Sequence, residues 1–382
     1  MNERGSQTHG ETDPEMLADI EEAKSFMRSQ GLMYPEERLA LVSEILNPEE
    51  KERLERLSIR LNMLDTALLR TPEMQMLQGR VQLAGRGNPD TYGDSVQLRP
   101  FHNRLEHSQV LSILGRVAAI KAGLEDDEVL ALAASALLHD VGHCAYGHVG
   151  DEFYKKKGGL PHEERSVNIV KEKMTDALDE VGVDSSKVIE AIREKGVVGS
   201  LQSTLDTLAY LILDSAMLQD SRYEDHGHSL LQSIKGIDRI TNHVIVSDIA
   251  PWQELLEARA RYMQEIIYHP DNKRVDEAIT QLLRIAIEKG YLAEDELLTA
   301  SDQGLQMRFQ SLVQPDTNAA LMGGRHDTEP QLSEYKDLYQ CAQGILPEGW
   351  SRKVFDTEGK ANEYVASLPE SAIERSIIVR PL

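Results

Sequence analysis

Six of the twelve histidines lie between positions 102 and 162, and aspartates are interspersed among them. The densest part, LLHDVGHCAYGH at residues 137–148, places His139, Asp140, His143 and His148 directly after an apolar run. Such groups are costly to bury unless they are paired or bind a metal. A histidine cluster of this density is typical of metal binding or acid–base catalysis.

Three predicted helices would bring these polar groups together. His107 lies early in the helix predicted at 104–122, and the His139-Asp140 pair ends the buried helix predicted at 126–140. A single histidine or aspartate on a helix is most often a core or capping residue. An adjacent His-Asp pair after an apolar helix, with a histidine upstream, instead favours a functional site.

The helix predicted at 200–220 supplies a further carboxylate. Asp206, Tyr210 and Asp214 are spaced by four residues, which places them on one helical face about 80° wide. Asp206 has apolar neighbours, so its carboxylate needs a partner. Together, the three helices offer two imidazoles and two carboxylates, a donor set that suits Mn, Fe, Mg, Ni or Zn. The sequence therefore predicts a divalent metal site without specifying the metal.

Helical patterns dominate the rest of the chain, which predicts an all-α fold. Further helices are predicted at about 16–70, and at 162–180, 186–195, 250–268 and 272–289. Strand-like segments occur at 243–248 and 376–382, and loops are predicted at 84–101 and 314–332. We interpret the chain as an N-terminal extension with a disordered start (1–60), a large helical core (61–310) and a small mixed C-terminal subdomain (311–382).

Composition limits the class of partner. The formal net charge of -23 over 382 residues argues against general binding to nucleic acids or membrane surfaces, because both are densely negative. Two cysteines are too few for a disulfide framework or a thiolate metal site. The start of the chain lacks the apolar segment of a signal peptide, and the apolar run at 129–138 is shorter than the roughly 20 residues that span a bilayer. We therefore expect a cytoplasmic protein.

The order of these residues along the chain resembles a known superfamily. The pattern His…His-Asp…Asp, formed by His107, His139, Asp140 and Asp206, resembles the metal motif of the HD-domain phosphohydrolases, which are all-helical. The segments NRLEHS, ALLHDVGHCAYGH, PHEE and LDTLAYLILD are similar to those of deoxynucleoside triphosphate triphosphohydrolases. That group includes the bacterial dGTPases and the animal enzymes that fuse a sterile-alpha-motif to an HD domain. The similarity covers about residues 65–225 and is weaker to about residue 310.

The resemblance implies two sets of site residues. The four motif residues would bind a divalent metal that polarises a phosphate oxygen and activates water. A second catalytic group would lie over the α-phosphate and consist of His143, His148, Asp151 and His162. In it, His162 would be the general acid, Asp151 its orienting partner, and His148 would lie close to the nucleophile. For His143, a role in positioning the His139-Asp140 pair is equally compatible.

The resemblance also implies residues that bind a nucleotide substrate. Arg104 matches a phosphate-contacting arginine, and Gln82 and Leu83 match positions that face the deoxyribose and disfavour a 2′-hydroxyl. Tyr210 and Asp214 match residues that contact phosphate and the 3′-hydroxyl. The segment 257–274 resembles a helix that closes over the triphosphate, with Arg259, Arg261, Tyr262, Tyr268 and His269 as candidates. For any one of these five, a solvated helix surface is an equally good interpretation.

Several positions depart from the family pattern. Gln-Met-Leu-Gln at 75–78 replaces Gln-Arg-Leu-Arg, Thr207 stands where a lysine is common, and HCAYGH lacks the usual Gly-Pro-Phe or Pro-Pro-Phe. These departures put the triphosphate preference and the base specificity in doubt, but not the metal site.

The leading hypothesis is a homo-oligomeric, metal-dependent hydrolase that cleaves deoxynucleoside triphosphates to deoxynucleoside and inorganic triphosphate. An HD-type nucleotidase or phosphodiesterase acting on a monophosphate, a cyclic nucleotide or an alarmone stays open, because cations are missing. A catalytically idle nucleotide-binding regulator is the third alternative, although every metal and catalytic position is filled.

Overall fold

The structure is a computed structural model that describes residues 43–82, 102–218, 226–268, 270–313, 336–342 and 379–381. Most of these residues are helical, which confirms the predicted all-α class. The predicted disordered start and the predicted loops at 84–101 and 314–332 lie outside the described residues.

The helices that carry the predicted metal ligands all lie before residue 219. The elements are α1 (Pro48–Leu69), α2 (Pro72–Gln78), α3 (Arg104–Lys121), α4 (Asp126–Leu138), α5 (His148–Lys156), α6 (His162–Ile169), α7 (Thr175–Glu180), α8 (Ser185–Ile192) and α9 (Gly196–Leu218). A π-helical turn, Val170–Met174, joins α6 to α7. The long helix predicted at 162–180 is therefore present but irregular.

The second half adds helices and a small sheet. The elements are α10 (His226–Ser233), β1 (Ile234–Asp238), β2 (His243–Val246), α11 (Ala250–Tyr262), α12 (Pro270–Glu288), α13 (Glu296–Thr299), α14 (Asp302–Val313), α15 (Lys336–Ala342) and β3 (Val379–Pro381). The strand order is β1-β2-β3, with β1 antiparallel and β3 parallel to β2. The predicted strands correspond to β2 and β3, whereas β1 was not predicted because IKGID has no strand-like alternation.

Local hydrogen bonds fix where α3 begins. The Asn103 side chain accepts a bond from the Glu106 backbone N–H at 2.9 Å, which caps the helix. Just before it, Gln82 N donates to the carbonyl of His102 at 3.1 Å, and Arg104 N donates to that of Arg80 at 2.9 Å. Because of these contacts, the segment 80–82 runs beside the first turn of α3, close to His107.

Helix α4 is the centre of the main core. Every residue from Val129 to Leu138 is fully buried, and α4 packs against α1, α3, α8 and α9. A helix that is apolar on all sides has to lie inside a protein, so other helices surround it. His139 follows at the end of α4, and the adjacent predicted ligands His139 and Asp140 therefore lie where this buried helix stops.

The apolar interior has two parts. The main cluster joins α1, α3, α4, α9 and α11, whereas a second cluster packs the segment 144–153 against α12, α13, α14 and α15. The segment that carries His148 and Asp151 is thus supported by helices far along the chain. The predicted boundary at residues 60–61 falls within α1 and the one at 310–311 within α14; both boundaries stay predictions.

One helix, α9, is long and apolar enough to cross a membrane by length and composition, over Gly196–Asp214. However, 61% of that window is buried inside the protein, and it carries the buried Asp214. These features are typical of a core helix.

Candidate active site

Helices α3, α4 and α9 bring the four predicted metal ligands together. Nε2 of His107 lies 2.9 Å from Oδ1 of Asp206, and Nε2 of His139 lies 3.6 Å from the same oxygen. Nε2 of His139 also lies 3.3 Å from Oδ1 of Asp140. The candidate ligand atoms of His107, His139 and Asp140 all lie within 4.8 Å of one another.

This donor set fits a divalent metal. Nδ1 of His139 donates to the carbonyl of Ala136 at 2.8 Å, which fixes the tautomer and leaves the Nε2 lone pair for a metal. Nδ1 of His107 is buried and has no hydrogen-bond partner among the described residues. Two imidazole nitrogens and two carboxylates suit zinc and other first-row divalent ions.

The charges at this site also suit a cation. Burial opposes ionisation of Asp140 and Asp206, but neighbouring histidines, and Arg104 beside Asp140, hold the pKa of both carboxyls well below the usual value. Burial lowers the pKa of His107, which favours the neutral imidazole that a metal requires. Burial also disfavours a charged His139, but Asp140 and Asp206 outweigh it and raise its pKa to about 9. Without a metal, His139 therefore carries the positive charge that balances the carboxylates.

Arg104 lies between the metal ligands and the turn that follows α4. Its Nη1 donates to Oδ2 of Asp140 at 2.7 Å, and the side chain is fully buried. Nε and Nη2 have no hydrogen-bond partner among the described residues. The Arg104 side chain lines the cleft beside the predicted metal ligands, which suits the phosphate-binding role predicted for it, but Nε and Nη2 are buried in this conformation.

The predicted second catalytic group is also assembled, around Asp151. Candidate ligand atoms of His143, His148, Asp151 and His162 lie within 4.8 Å of one another. Oδ2 of Asp151 contacts Nδ1 of His143 directly and lies 3.7 Å from Nδ1 of His162 and 4.0 Å from Nδ1 of His148. Asp151 is therefore closer to His143 than to His162, the partner predicted for it.

His143 connects the two groups. Its Nε2 lies 3.0 Å from Oδ1 of Asp140 while its Nδ1 faces Asp151, and its ring stacks on that of His162 with centroids 3.8 Å apart. The side chain of His143 is almost fully buried, whereas that of His148 is 64% exposed. Of these two, only His148 is open to a substrate.

Desolvation and the neighbouring His143 lower the pKa of His162, so this imidazole is neutral near pH 7 before an anion binds. Burial opposes ionisation of Asp151, but His143 and His162 keep its pKa well below the usual value. The group thus presents a neutral imidazole next to a carboxylate.

Several residues that support the site were not predicted. Arg165 contacts Oδ1 of Asp151 and donates from Nε to the carbonyl of Gly142 at 2.7 Å. Ser166 donates to the carbonyl of His139 at 2.7 Å and accepts from the Gly142 N–H at 2.9 Å. Both follow His162 in HEERS, and their spacing of three and four residues from His162 on a helix could have indicated that they share its face.

The predicted sugar and phosphate residues of α9 and α11 meet in a second buried region. Tyr262 donates its hydroxyl to Asp214, which also lies 3.0 Å from Nδ1 of His102. The rings of Tyr210 and Tyr262 lie 5.3 Å apart, and Arg259 lies beside Tyr210. His102 was not among the predicted residues, although it is part of the histidine cluster.

Four predicted substrate-binding residues remain to be placed. Arg261 is half-buried on α11, and the ring of Tyr268 lies 5.2 Å from Nζ of Lys273. Leu83 and His269 lie outside the described residues.

A cleft opens over both groups. Its lining consists of Gln82, Arg104, His107, His139, Asp140, His148, His162, Glu163, Ile192, Glu194, Gln202, Ser203 and Asp206. Gln82, one of the predicted sugar-contacting residues, is in this lining, but Tyr210 and Asp214 of α9 and the candidates of α11 are not. Glu163 and Glu194 add two carboxylates that were not predicted.

Comparisons with known proteins agree with this site. The family model described as HD domain matches residues 104–218. A metal-dependent phosphohydrolase, cns2, from Cordyceps militaris is 24% identical over 292 residues, which is 75% of this chain and 80% of that protein. A deoxyguanosinetriphosphate triphosphohydrolase-like protein from Clostridium perfringens is 36% identical over 83 residues, but this covers only 21% of this chain and 22% of that protein.

A solved structure shares the fold. A phosphohydrolase from Bacteroides thetaiotaomicron superposes with a TM-score of 0.54 at 17% identity, covering 72% of this chain and 70% of that one. The HD motif, the four assembled ligands and these matches lead to the same assignment. Residues 104–218 are an HD domain, as the motif predicted, and the relative that aligns with 75% of this chain is named a metal-dependent phosphohydrolase.

Proposed function

We propose that this HD-domain phosphohydrolase cleaves deoxynucleoside triphosphates to deoxynucleoside and inorganic triphosphate. The observation that carries the proposal is the cleft shared by the four predicted metal ligands and by His148 and His162 of the second group. His143 joins the two groups by facing Asp140 on one side and Asp151 on the other. A phosphate ester in this cleft would meet a metal and an acid–base group together.

The residues of the cleft divide the work of hydrolysis. His107, His139, Asp140 and Asp206 would hold a divalent ion, which would supply Lewis-acid polarisation of a phosphate oxygen and activation of water. Arg104 lines the cleft beside the metal ligands and offers its guanidinium to phosphate oxygens. His162 protonates the departing 5′-oxygen, and His148, the more exposed imidazole, contacts the α-phosphate. Because His162 is neutral beforehand, it acts as the acid only when the negative phosphate raises its pKa on binding.

Two features support a deoxynucleotide substrate. Gln82, which resembles a deoxyribose-facing residue, lies in the cleft lining. Tyr210, Asp214, Arg259 and Tyr262 form one neighbourhood on α9 and α11, adjacent along α9 to Asp206. The short match to deoxyguanosinetriphosphate triphosphohydrolase-like proteins is consistent with this assignment.

One observation favours a second candidate, an HD-type nucleotidase or phosphodiesterase. Glu163 and Glu194 line the cleft. Among the described residues that line it, Arg104 is the one arginine or lysine, and it is already paired with Asp140. Two carboxylates near the metal repel a triphosphate more strongly than a monoester, because a triphosphate carries more charge. The relative that aligns with 75% of this chain is named only as a metal-dependent phosphohydrolase.

The deciding experiment separates the products. Purified protein is incubated with each dNTP, each NTP, nucleoside monophosphates and cyclic nucleotides, with Mn²⁺ or Mg²⁺, and the products are resolved by anion-exchange chromatography. We expect inorganic triphosphate and deoxynucleoside from dNTPs, and none from the Asp140→Ala variant. Asp127→Ala, an exposed aspartate on α4, is the matched control and should keep full activity.

Other product patterns would reject the proposal. Release of pyrophosphate with a monophosphate, or turnover restricted to monophosphates or cyclic nucleotides, would replace it with the second candidate. Binding of nucleotides without turnover of any ester would favour the idle regulator.

A further inference from the structure

The turn that carries His143 and His148 has an unusual backbone. Within this turn, residues 143–148, Tyr146 has φ of 61° and Gly147 has φ of 52°. A tyrosine rarely adopts this left-handed conformation, so its surroundings must hold it there. At Gly147, a side chain would collide with the guanidinium of Arg104, since an added Cβ would lie 2.6 Å from Nη2. The turn is therefore packed tightly against a residue of the candidate active site.

Three contacts from distant parts of the chain hold the backbone of the turn. Tyr146 N donates to Oδ1 of Asp302 at 2.6 Å, and Ala145 N donates to the carbonyl of Leu297 at 2.9 Å. Arg80 donates from Nη1 to the carbonyl of His143, and from Nη2 to that of Leu298 at 2.7 Å. Asp302 and Arg80 are both buried, and neither contacts a metal ligand in these hydrogen bonds.

Asp302 also holds the opposite edge of the cleft. Its Oδ2 accepts from Val81 N at 2.8 Å, and its own N–H donates to the carbonyl of Gly79 at 2.9 Å. Val81 precedes Gln82, which lines the cleft. One buried carboxylate thus joins the imidazole-bearing turn to the segment that presents Gln82.

We propose that Asp302, supported by Arg80, is a positioning residue that fixes His148 and Gln82 relative to each other across the cleft. The inference rests on the proposed phosphohydrolase function and adds a determinant from outside the HD domain at residues 104–218. A buried carboxylate is costly where an apolar residue could pack, and here both of its oxygens accept backbone N–H groups of the cleft edges. Asp302 is buried and is not part of the cleft lining, so its effect on activity goes through the turn rather than through substrate contact.

The test compares two changes at Asp302 with a matched control. Asp302→Asn is isosteric but offers one acceptor oxygen in place of two, and Asp302→Ala removes both. Asp295→Asn changes an exposed aspartate that makes no capping hydrogen bond at the start of α13. Hydrogen–deuterium exchange of the peptide that covers residues 143–148 measures whether the turn is held.

We expect faster exchange at the turn in both Asp302 variants, with Ala faster than Asn, and no change in Asp295→Asn. With the substrate that the wild type hydrolyses, kcat should fall about 10- to 100-fold, as expected for misplaced catalytic groups. KM should change less than about 3-fold, and bound metal should stay at the wild-type level, because His107, His139, Asp140 and Asp206 are untouched.

Unchanged exchange in Asp302→Ala, or faster exchange with an unchanged kcat, would overturn the inference. Equal loss of kcat and bound metal would also overturn it, since that pattern indicates a general structural role. If Asp302→Ala does not fold, the isosteric Asp302→Asn decides. If the wild type hydrolyses no phosphate ester, the proposed function fails, whereas the exchange rates still test whether Asp302 holds the turn.

Discussion

At the residue scale, a small number of side chains in the site each contact several partners. Asp140 is both a metal ligand candidate and the acceptor for Arg104 and His143. Asp151 in turn accepts from His143, from Arg165 and from the Cys144 N–H at 2.9 Å. A change at either carboxylate therefore affects both the metal ligands and the acid–base group.

The first prediction concerns Asp206, which contacts both ligand histidines and has no other role in the site. Asp206→Asn removes the negative charge but keeps the shape. We expect metal affinity to fall by more than about 100-fold, because even changes outside the direct ligands cost 10–100-fold. Calorimetric titration of the metal-free protein with Mn²⁺ measures it, with Asp127→Asn as the control. Wild-type affinity in Asp206→Asn would remove Asp206 from the ligand set.

The second prediction concerns Cys144, which lies within the imidazole-bearing turn. Burial, together with the Asp151 carboxylate, raises the pKa of its thiol to about 12. A thiol with such a pKa has almost no thiolate at pH 8, so iodoacetamide should leave Cys144 unmodified in the folded protein. Mass spectrometry of the peptide before and after denaturation measures this. Rapid alkylation of the folded protein would show that the turn is open.

At the element scale, the sequence predicted the helices that carry the metal ligands but not how they are held. The apolar pattern of α4 and the four-residue spacing on α9 are local, so both helices and the ligands they carry could be identified. Helix α5 was not predicted, because HVGDEFYKK is short and begins inside the histidine cluster. The packing of α6 against the turn at residues 139–142 could not be predicted either, since it depends on the close approach at Gly142.

The third prediction follows from that close approach. A Cβ at Gly142 would overlap the carbonyl oxygen of His162 and the backbone nitrogen of Ser166. Gly142→Ala should therefore push α6 away from the turn at residues 139–142 and destabilise the fold by about 1–3 kcal/mol, the usual range for overpacking. Chemical denaturation measures the stability, and kcat should fall as His162 moves.

Gly236→Ala is the matched control for this prediction. The nearest atom that its Cβ would meet lies 3.9 Å away, which is ordinary van der Waals contact. Similar stability losses in both variants would indicate a general effect of replacing glycine, and would argue against tight docking of α6.

At the scale of the whole molecule, the site draws on parts of the chain that lie far apart in sequence. Tyr146 and Asp302 are separated by 156 residues, and no local pattern links them. The same is true of Arg80 and Leu298, which are 218 residues apart. Sequence patterns report local periodicity and motif spacing, so contacts of this kind become visible only in the folded chain. The predicted homo-oligomer stays a prediction.

The fourth prediction tests whether α1 is part of the core that supports the site. Asp65 on α1 and Arg116 on α3 form an ion pair whose side chains are almost fully buried, and Arg116 also donates to Ser112 at 3.1 Å. Asp65→Ala leaves the buried guanidinium without its carboxylate. Breaking a buried pair in this way costs about 3–5 kcal/mol, so we expect a loss of stability in this range by chemical denaturation.

Two further variants separate charge from packing. Glu52→Ala removes an exposed partner of Arg56 on the same helix, and an exposed pair of this spacing contributes about 0.3–0.5 kcal/mol. The double variant Asp65→Leu with Arg116→Met replaces the buried pair by apolar groups, which is often neutral or stabilising. Recovery of most of the stability in the double variant would show that the loss comes from the unpaired charge. A loss in Asp65→Ala no larger than in Glu52→Ala would mean that α1 and α3 do not pack as described, and α1 would then be an extension rather than part of the core.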